Sequence, residues 1–116
     1  MPLNAAMQGN VLVIQARMER IDAAGAIQFK EMMRDLTARA SDRVVLDLSQ
    51  VGFLDSSGLG AVVSVMKMLS PARRLELAGL TPPVEKVFRL TRMDTVFTIH
   101  PVLDAALASG GLRNAG

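Results

Sequence analysis

The sequence predicts an α/β fold in which about four helices pack over a mixed, mainly parallel sheet of four to five strands. Short apolar or β-branched runs alternate with helical stretches, and such alternation implies parallel strands joined by short crossovers. Half of the 116 residues are hydrophobic, which is enough for one core at this length. We therefore expect a single domain over residues 1–110 and a flexible tail at 111–116.

The amino-terminal part predicts a β-hairpin followed by an amphipathic helix. Residues 11–16 (VLVIQA) have strand composition, and the QGN before them supplies a turn, so residues 3–7 are a candidate partner strand. Asp22 is a plausible N-cap for a helix over residues 23–40, because its carboxylate can accept from first-turn amides. Ile27 is an exposed apolar residue on the polar side of that helix. The predicted buried face comprises Gly25, Phe29, Met32, Met33, Leu36 and Ala40.

The middle of the chain continues the alternation. Residues 43–49 (RVVLDLS) form an apolar run without simple alternation, which indicates a central strand buried on both faces. A second helix is predicted over residues 57–69, and residues 73–79 (RRLELAG) form the next strand. Thr81 followed by Pro82 is typical of a helix start. The buried face of that third helix comprises Val84, Val87 and Phe88.

The carboxyl-terminal part predicts one more strand and one more helix. Residues 95–99 (TVFTI) have strand composition. Pro101 can begin a final helix that runs through Ala108, and Gly110 and Gly111 are expected to end it.

Composition excludes several classes of function. The chain has no cysteine, so it forms neither disulfides nor thiolate metal sites, and we expect no cofactor. A net charge of +2, scattered arginines and only 3% aromatic residues argue against a nucleic-acid or anionic-membrane surface. The amino terminus lacks a signal-peptide pattern and no apolar stretch is long enough to span a bilayer. We expect a cytoplasmic protein and a monomer.

The segment most informative about function is residues 53–60 (FLDSSGLG), at the start of the second predicted helix. A nucleophilic serine would need a base, but the only histidine is His100 and the nucleophile-elbow spacing is absent. A phosphate cradle would need a lysine and a recognised glycine spacing, and neither is present. Helix capping by Asp55, Ser56 or Ser57 explains one polar residue but not three in a row.

Modification by another enzyme remains as a further interpretation. A serine at an exposed helix start is accessible to a kinase, and we expect Gly58 to keep the neighbouring position bare for a partner's backbone. Phosphate would be tolerated by the helix dipole but would be costly to bury under a docked partner.

The second predicted helix has an uncharged outer face that fits a docking surface. Its core face is predicted to comprise Leu59, Val62, Val63, Met66 and Leu69. A cover by another element would also explain an outer face without charge. The outer face, which begins at Ser57, comprises Ser57, Ala61, Ser64 and Met68, with Val65 at its flank.

Residues 44–63 (VVLDLSQVGFLDSSGLGAVV) closely resemble the signature of STAS domains of the anti-sigma factor antagonist type, and residues 77–99 are similar to the second half of that family. The resemblance implies the STAS fold and a protein that is not an enzyme. Such proteins bind an ATP-binding serine kinase of the GHKL type that doubles as an anti-sigma factor. Phosphorylation on the second serine of the pair breaks the complex, and a serine phosphatase restores it.

Carried onto this chain, the resemblance makes Ser57 the phosphate acceptor and Ser56 its neighbour and cap. Asp22 would lie near the same surface. One departure is Glu19, which stands where the family often has glycine. The contact rim implied by the resemblance comprises Asp55, Gly58 and Leu59.

Two other functions remain as alternatives. The chain could be a STAS scaffold subunit of a membrane transport or signalling complex, in which case its partner complex would not respond to ATP. It could also be a nucleotide sensor, which calorimetry with GTP and ATP would reveal.

Overall fold

The structure is a computed structural model that describes residues 2–115, and the side chains of residues 2–109. Seven strands and four helices follow one another along this part of the chain, together with a 3-10 turn at Met93–Thr95. The strands are β1 (Leu3–Gln8), β2 (Val11–Ala16), β3 (Arg20–Ile21), β4 (Arg43–Asp47), β5 (Phe53–Leu54), β6 (Arg74–Ala78) and β7 (Ile99–His100). The helices are α1 (Ala26–Leu36), α2 (Ser56–Leu69), α3 (Pro82–Leu90) and α4 (Leu103–Ala115).

The main sheet has five strands in the order β1-β2-β4-β6-β7. Only β1 is antiparallel, in a hairpin with β2, and the other neighbours pair in parallel. This confirms the predicted hairpin and the predicted mixed, mainly parallel sheet. A second sheet of two short parallel strands, β3 and β5, was not predicted, and it builds the functional edge described below.

The two faces of the main sheet are covered unequally. Helices α1, α2 and α3 pack on one face, where the aliphatic side chains of the central strands and Phe29, Met33 and Phe88 form the larger core. Helix α4 covers the other face, against Val45 and Ala78. Both faces of β4 are therefore buried, as its apolar run predicts.

The face under α4 contains a buried polar network. The guanidinium of Arg43 donates to both carboxylate oxygens of Glu76, at 2.9 and 2.6 Å, and also to the carbonyl of Ala106 at 2.9 Å. His100 Nε2 lies 2.8 Å from Glu76 Oε1. Glu76 is only 1% exposed, so these partners replace the water that its carboxylate has lost.

The pKa of Glu76 lies below its ordinary value of 4.5. Burial on its own would raise that pKa, but hydrogen bonds from Arg43 and His100 and the charges of Arg43 and Arg74 outweigh it. The stabilisation from Glu76 is thus present above pH 4.5 and is lost as the pH falls through the lowered pKa of the folded state.

Several element boundaries differ from the sequence predictions. Helix α1 begins at Ala26 with Gly25 as its N-cap, so the prediction that Asp22 caps it is wrong. The predicted strand at 95–99 is also wrong, because Phe97 turns inward and packs edge-on against Phe88, with ring centroids 5.7 Å apart. Strand β7 is confined to Ile99–His100 for this reason.

The last helix also differs from its prediction. It begins at Leu103, not at Pro101, and it continues past Gly110 and Gly111 to Ala115. The division of the chain into a domain at 1–110 and a tail stays a prediction. Within the described residues, no helix is long and apolar enough to cross a membrane.

We predict that Glu76→Gln lowers the free energy of unfolding at pH 7 by about 3 kcal/mol, because Arg43 is left buried without a counter-charge. Urea denaturation at pH 7 and at pH 3 measures the effect, and the deficit should shrink at the lower pH. Glu85→Gln, in an exposed pair with Arg89, is the matched control and should change stability by less than about 0.5 kcal/mol. Equal losses in the two variants would contradict the prediction.

Candidate functional site

The head of α2 is capped by Asp55. This residue has extended backbone angles, φ −99° and ψ −173°, and its Oδ1 accepts from the amide of Gly58 at 2.9 Å. That amide is one of the free donors of the first helical turn. Of the three candidate caps, Asp55 is therefore the one used, and the expectation that Ser56 caps the helix is wrong.

The second oxygen of Asp55 joins two distant parts of the chain. Asp55 Oδ2 accepts from the amide of Ala23 at 3.2 Å, so one carboxylate holds both the head of α2 and the loop between β3 and α1. This contact brings Asp22 to the same edge as the serine pair. Its position near that edge agrees with the expectation from the family resemblance, although its role there stays a prediction.

The side chains of the two serines take no part in holding the fold together. Both Ser56 and Ser57 are exposed, and neither hydroxyl has a hydrogen-bond partner among the described residues. His100, the only histidine, is bonded to Glu76 under α4 and is unavailable as a base for either hydroxyl. The site therefore lacks the acid–base apparatus of a serine nucleophile but offers an accessible hydroxyl to an external enzyme.

Gly58 has a different role from the one expected. It is buried, and a Cβ at this position would lie 2.0 Å from the carbonyl oxygen of Ile21. The backbone of β3 therefore occupies the space that was predicted for a partner's backbone. A glycine is required here because α2 starts in direct contact with β3.

The small sheet of β3 and β5 supports this contact. Its register pairs Arg20 with Phe53 and Ile21 with Leu54. The carbonyl of Glu19 accepts from the amide of Gly52 at 2.8 Å and from that of Phe53 at 3.1 Å. Glu19 thus contributes through its backbone, which is compatible with a non-glycine residue at the position where the family often has glycine.

Arg20 and Phe53 were missed by the sequence predictions, although they border the site. The Arg20 guanidinium lies 4.1 Å from the centroid of the Phe53 ring, and its Nε donates to Asp22 at 3.1 Å. The hydrogen bond from Arg20, opposed by burial, is the main reason why the pKa of Asp22 lies below its usual value. Asp22 is therefore held as an anion at this edge.

The predicted outer face of α2 is only partly correct. Ala61 and Val65 are buried, at 2% exposure each, because α1 packs along that side of α2. For these two residues the alternative interpretation is correct: another helix covers this part of the uncharged face. Ser57, Ser64 and Met68 are exposed as predicted, together with Gly60 and Lys67. On the opposite side, Val62 and Leu69 are buried while Leu59, Val63 and Met66 are half-buried against the core.

Comparison with known proteins agrees with this geometry. The STAS domain family matches residues 2–106. BtrV of Bordetella bronchiseptica, named as a candidate anti-sigma factor antagonist, is 30% identical over 77% of this chain and 78% of its own length. The anti-sigma-B factor antagonist of Listeria monocytogenes is 30% identical over 71% of this chain and 73% of its own length.

Solved structures share the same fold. An anti-sigma factor antagonist from Mycobacterium paratuberculosis superposes with a TM-score of 0.83 at 25% identity, covering 92% of this chain and 91% of that one. A sulfate transporter family protein from Wolinella succinogenes superposes with a TM-score of 0.79 over 96% and 93% of the two chains. At 15% identity, that second likeness concerns the fold alone.

A mixed five-stranded sheet with helices on both faces defines an α/β domain. The chain belongs to the STAS domain family. Its homologues are anti-sigma factor antagonists.

We predict opposite effects for two glycines that lie one half-turn apart in α2. Gly58→Ala should destabilise the protein by about 1–3 kcal/mol, because the added methyl group overlaps the carbonyl of Ile21. Gly60→Ala meets no atom within 4 Å and should stabilise it by about 0.5–1 kcal/mol through helix propensity. Thermal unfolding measures the melting temperature of both variants. Similar melting temperatures would refute the close contact between Gly58 and the carbonyl of Ile21.

Proposed function

We propose that this chain is an anti-sigma factor antagonist of a partner-switching pathway. Its unphosphorylated form binds an ATP-binding serine kinase of the GHKL type that also acts as an anti-sigma factor, and phosphorylation of Ser57 releases it. The observation that carries the proposal is the exposed hydroxyl of Ser57, which has no hydrogen-bond partner among the described residues, while Asp55 alone caps the helix.

The chain can accept a phosphate on Ser57 without losing its fold. Phosphorylation adds nearly two negative charges at neutral pH, and the positive end of the α2 dipole offsets them by about 1 kcal/mol or less. The cap stays intact, because both oxygens of Asp55 are already bonded to the amides of Gly58 and Ala23.

A docked partner responds differently to the same phosphate. A protein seated over Ser57 would have to strip water from a dianion that lies beside the carboxylates of Asp55 and Asp22, and such desolvation is costly. Modification therefore leaves the domain folded and abolishes the interface. The exposed residues proposed for that interface are Ser56, Ser57, Ser64 and Met68, with Leu59 and the two carboxylates at the rim.

Reversal requires a second enzyme, which we propose to be a serine phosphatase. The chain itself is then the substrate of both enzymes and catalyses neither step. Because the kinase consumes ATP, we expect the cycle to operate in the cytoplasm. The scaffold alternative has less support, because it gives no role to an accessible serine at the helix head.

We predict that the cognate kinase with ATP transfers one phosphate to this chain and that Ser57→Ala abolishes the transfer. Ser56→Ala is the matched control, since it removes the neighbouring hydroxyl and should leave labelling intact. Intact-mass spectrometry measures both. Labelling that persists in Ser57→Ala and disappears in Ser56→Ala would reassign the acceptor.

The same variants test release. Ser57→Ala should bind the kinase as tightly as the unmodified chain, and Ser57→Asp should bind at least about tenfold more weakly, because a carboxylate is then buried at the interface. Isothermal titration gives the dissociation constants. A complex that is stable in ATP and indifferent to Ser57→Asp would favour the scaffold function instead.

A further inference from the structure

A shallow notch lies between α1 and α2, about two to three turns below the serine pair. It has a volume of about 60 Å³, which suits a single small side chain. Val65 is almost fully buried and closes its floor, while Met68 is 41% exposed at its rim. The remaining lining residues are Lys30, Arg34 and Ser64. We call these five residues the α1–α2 notch.

The residues that line the notch include two cations and no acid. Within the described part of the chain, neither Lys30 nor Arg34 forms an ion pair, and no acidic residue lines the notch. On the surface of α1, Glu31 follows Ile27 by four residues and precedes Arg34 by three, so it lies beside this surface without lining the notch. Asp35 lies further round the helix. Lys67, exposed on α2, adds a third cation nearby.

An exposed apolar residue extends the notch toward the serine pair. Ile27 is 68% exposed, and its spacing from Lys30 and Arg34 places the three side chains along one side of α1. The hydrogen bond between Ala23 and Asp55 puts the starts of α1 and α2 side by side, so Ile27 lies at the Ser57 end. Ile27 and Met68 thus supply apolar contacts at the two ends of a basic surface.

We propose that this surface docks a helical segment of a protein partner, in which one aliphatic side chain is flanked by carboxylates. The aliphatic side chain fills the α1–α2 notch against Val65 and Met68, and the carboxylates pair with Lys30 and Arg34. The proposal rests on the proposed function, because the partner meant is the kinase that docks at Ser57. It adds a second contact, between the α1–α2 notch and the kinase, further along α2 than the phosphorylation site.

The composition of the surface favours an acidic protein over an anionic membrane. Lipid-binding surfaces that act through charge use clusters of about four to eight basic residues, each contributing about 1 kcal/mol. This surface has three cations, and its deepest point is a side-chain-sized notch. Such a notch suits an interdigitating side chain, as in the packing of one helix against another.

The test compares two charge reversals of equal size. Lys30→Glu/Arg34→Glu alters the notch, and Lys86→Glu/Arg89→Glu makes the same change in net charge on exposed positions of α3. Titration with the kinase that labels Ser57 should show binding about tenfold or more weaker for the first variant. The second should bind within about twofold of the unmodified chain.

The other possible results of this titration would contradict the proposal. If both variants bind the kinase equally weakly, the effect comes from overall charge and the proposal is wrong. The proposal is also wrong if the notch variant binds as tightly as the unmodified chain. In these two cases labelling at Ser57 persists and the proposed function stands. A kinase that neither binds nor labels the unmodified chain would overturn both.

Photocrosslinking then identifies the chemistry of the docked segment. A photoreactive residue placed at Ile27 or Met68 should crosslink to a kinase segment that contains carboxylates beside an aliphatic side chain. The same residue at Val96, which is 50% exposed outside α1 and α2, should give no crosslink to that segment. A crosslinked segment without acidic residues would overturn the proposal. So would binding to phosphatidylserine vesicles that is lost on Lys30→Glu/Arg34→Glu.

Discussion

The carboxylate of Asp55 is the constraint on which the functional edge depends. One of its oxygens caps α2 through the amide of Gly58, and the other holds the loop before α1 through the amide of Ala23. Because the residues joined in this way are more than thirty positions apart, the contact fixes how α1 and α2 start relative to each other. Gly58 completes the arrangement by allowing α2 to touch the backbone of Ile21. The accessibility of Ser57 and the notch between the helices both follow from this alignment.

The regular elements could be predicted from sequence because each has a local signal in the residues that it buries. The hairpin, β4 and β6 contain runs of apolar or β-branched residues, and α2 and α3 have apolar residues at helical spacing. Strands β3 and β5 could not be predicted, since two residues are too few to show any period. The segment 95–99 has strand composition, but the long-range contact between Phe97 and Phe88 overrides this local preference.

The candidate site shows a similar division. The serine pair and the acid before it could be located from residue types alone, because polar residues at a helix start are a local signal. The face of α2 that packs on the core could also be predicted, but the extent of its buried surface could not, since nearly all its residues are apolar or small. Ala61 and Val65 are buried only because α1 lies alongside them, and that packing is a tertiary contact. Arg20 and Phe53 carried no signal, because their pairing depends on the unpredicted strands β3 and β5.

The two faces of the main sheet carry different sets of charged groups. Glu76 is buried under α4, where its carboxylate is bonded to the partly buried Arg43 and to His100. Lys30 and Arg34, on α1, form no ion pairs with other described side chains and lie on the opposite face of the sheet, whereas Arg20 and Asp22 at the functional edge pair with each other. Under the proposed function, a phosphate on Ser57 would lie across the sheet from the Glu76 network and would act on the groups near the head of α2. This placement supports the proposal that the modified domain keeps its fold while the interface is lost.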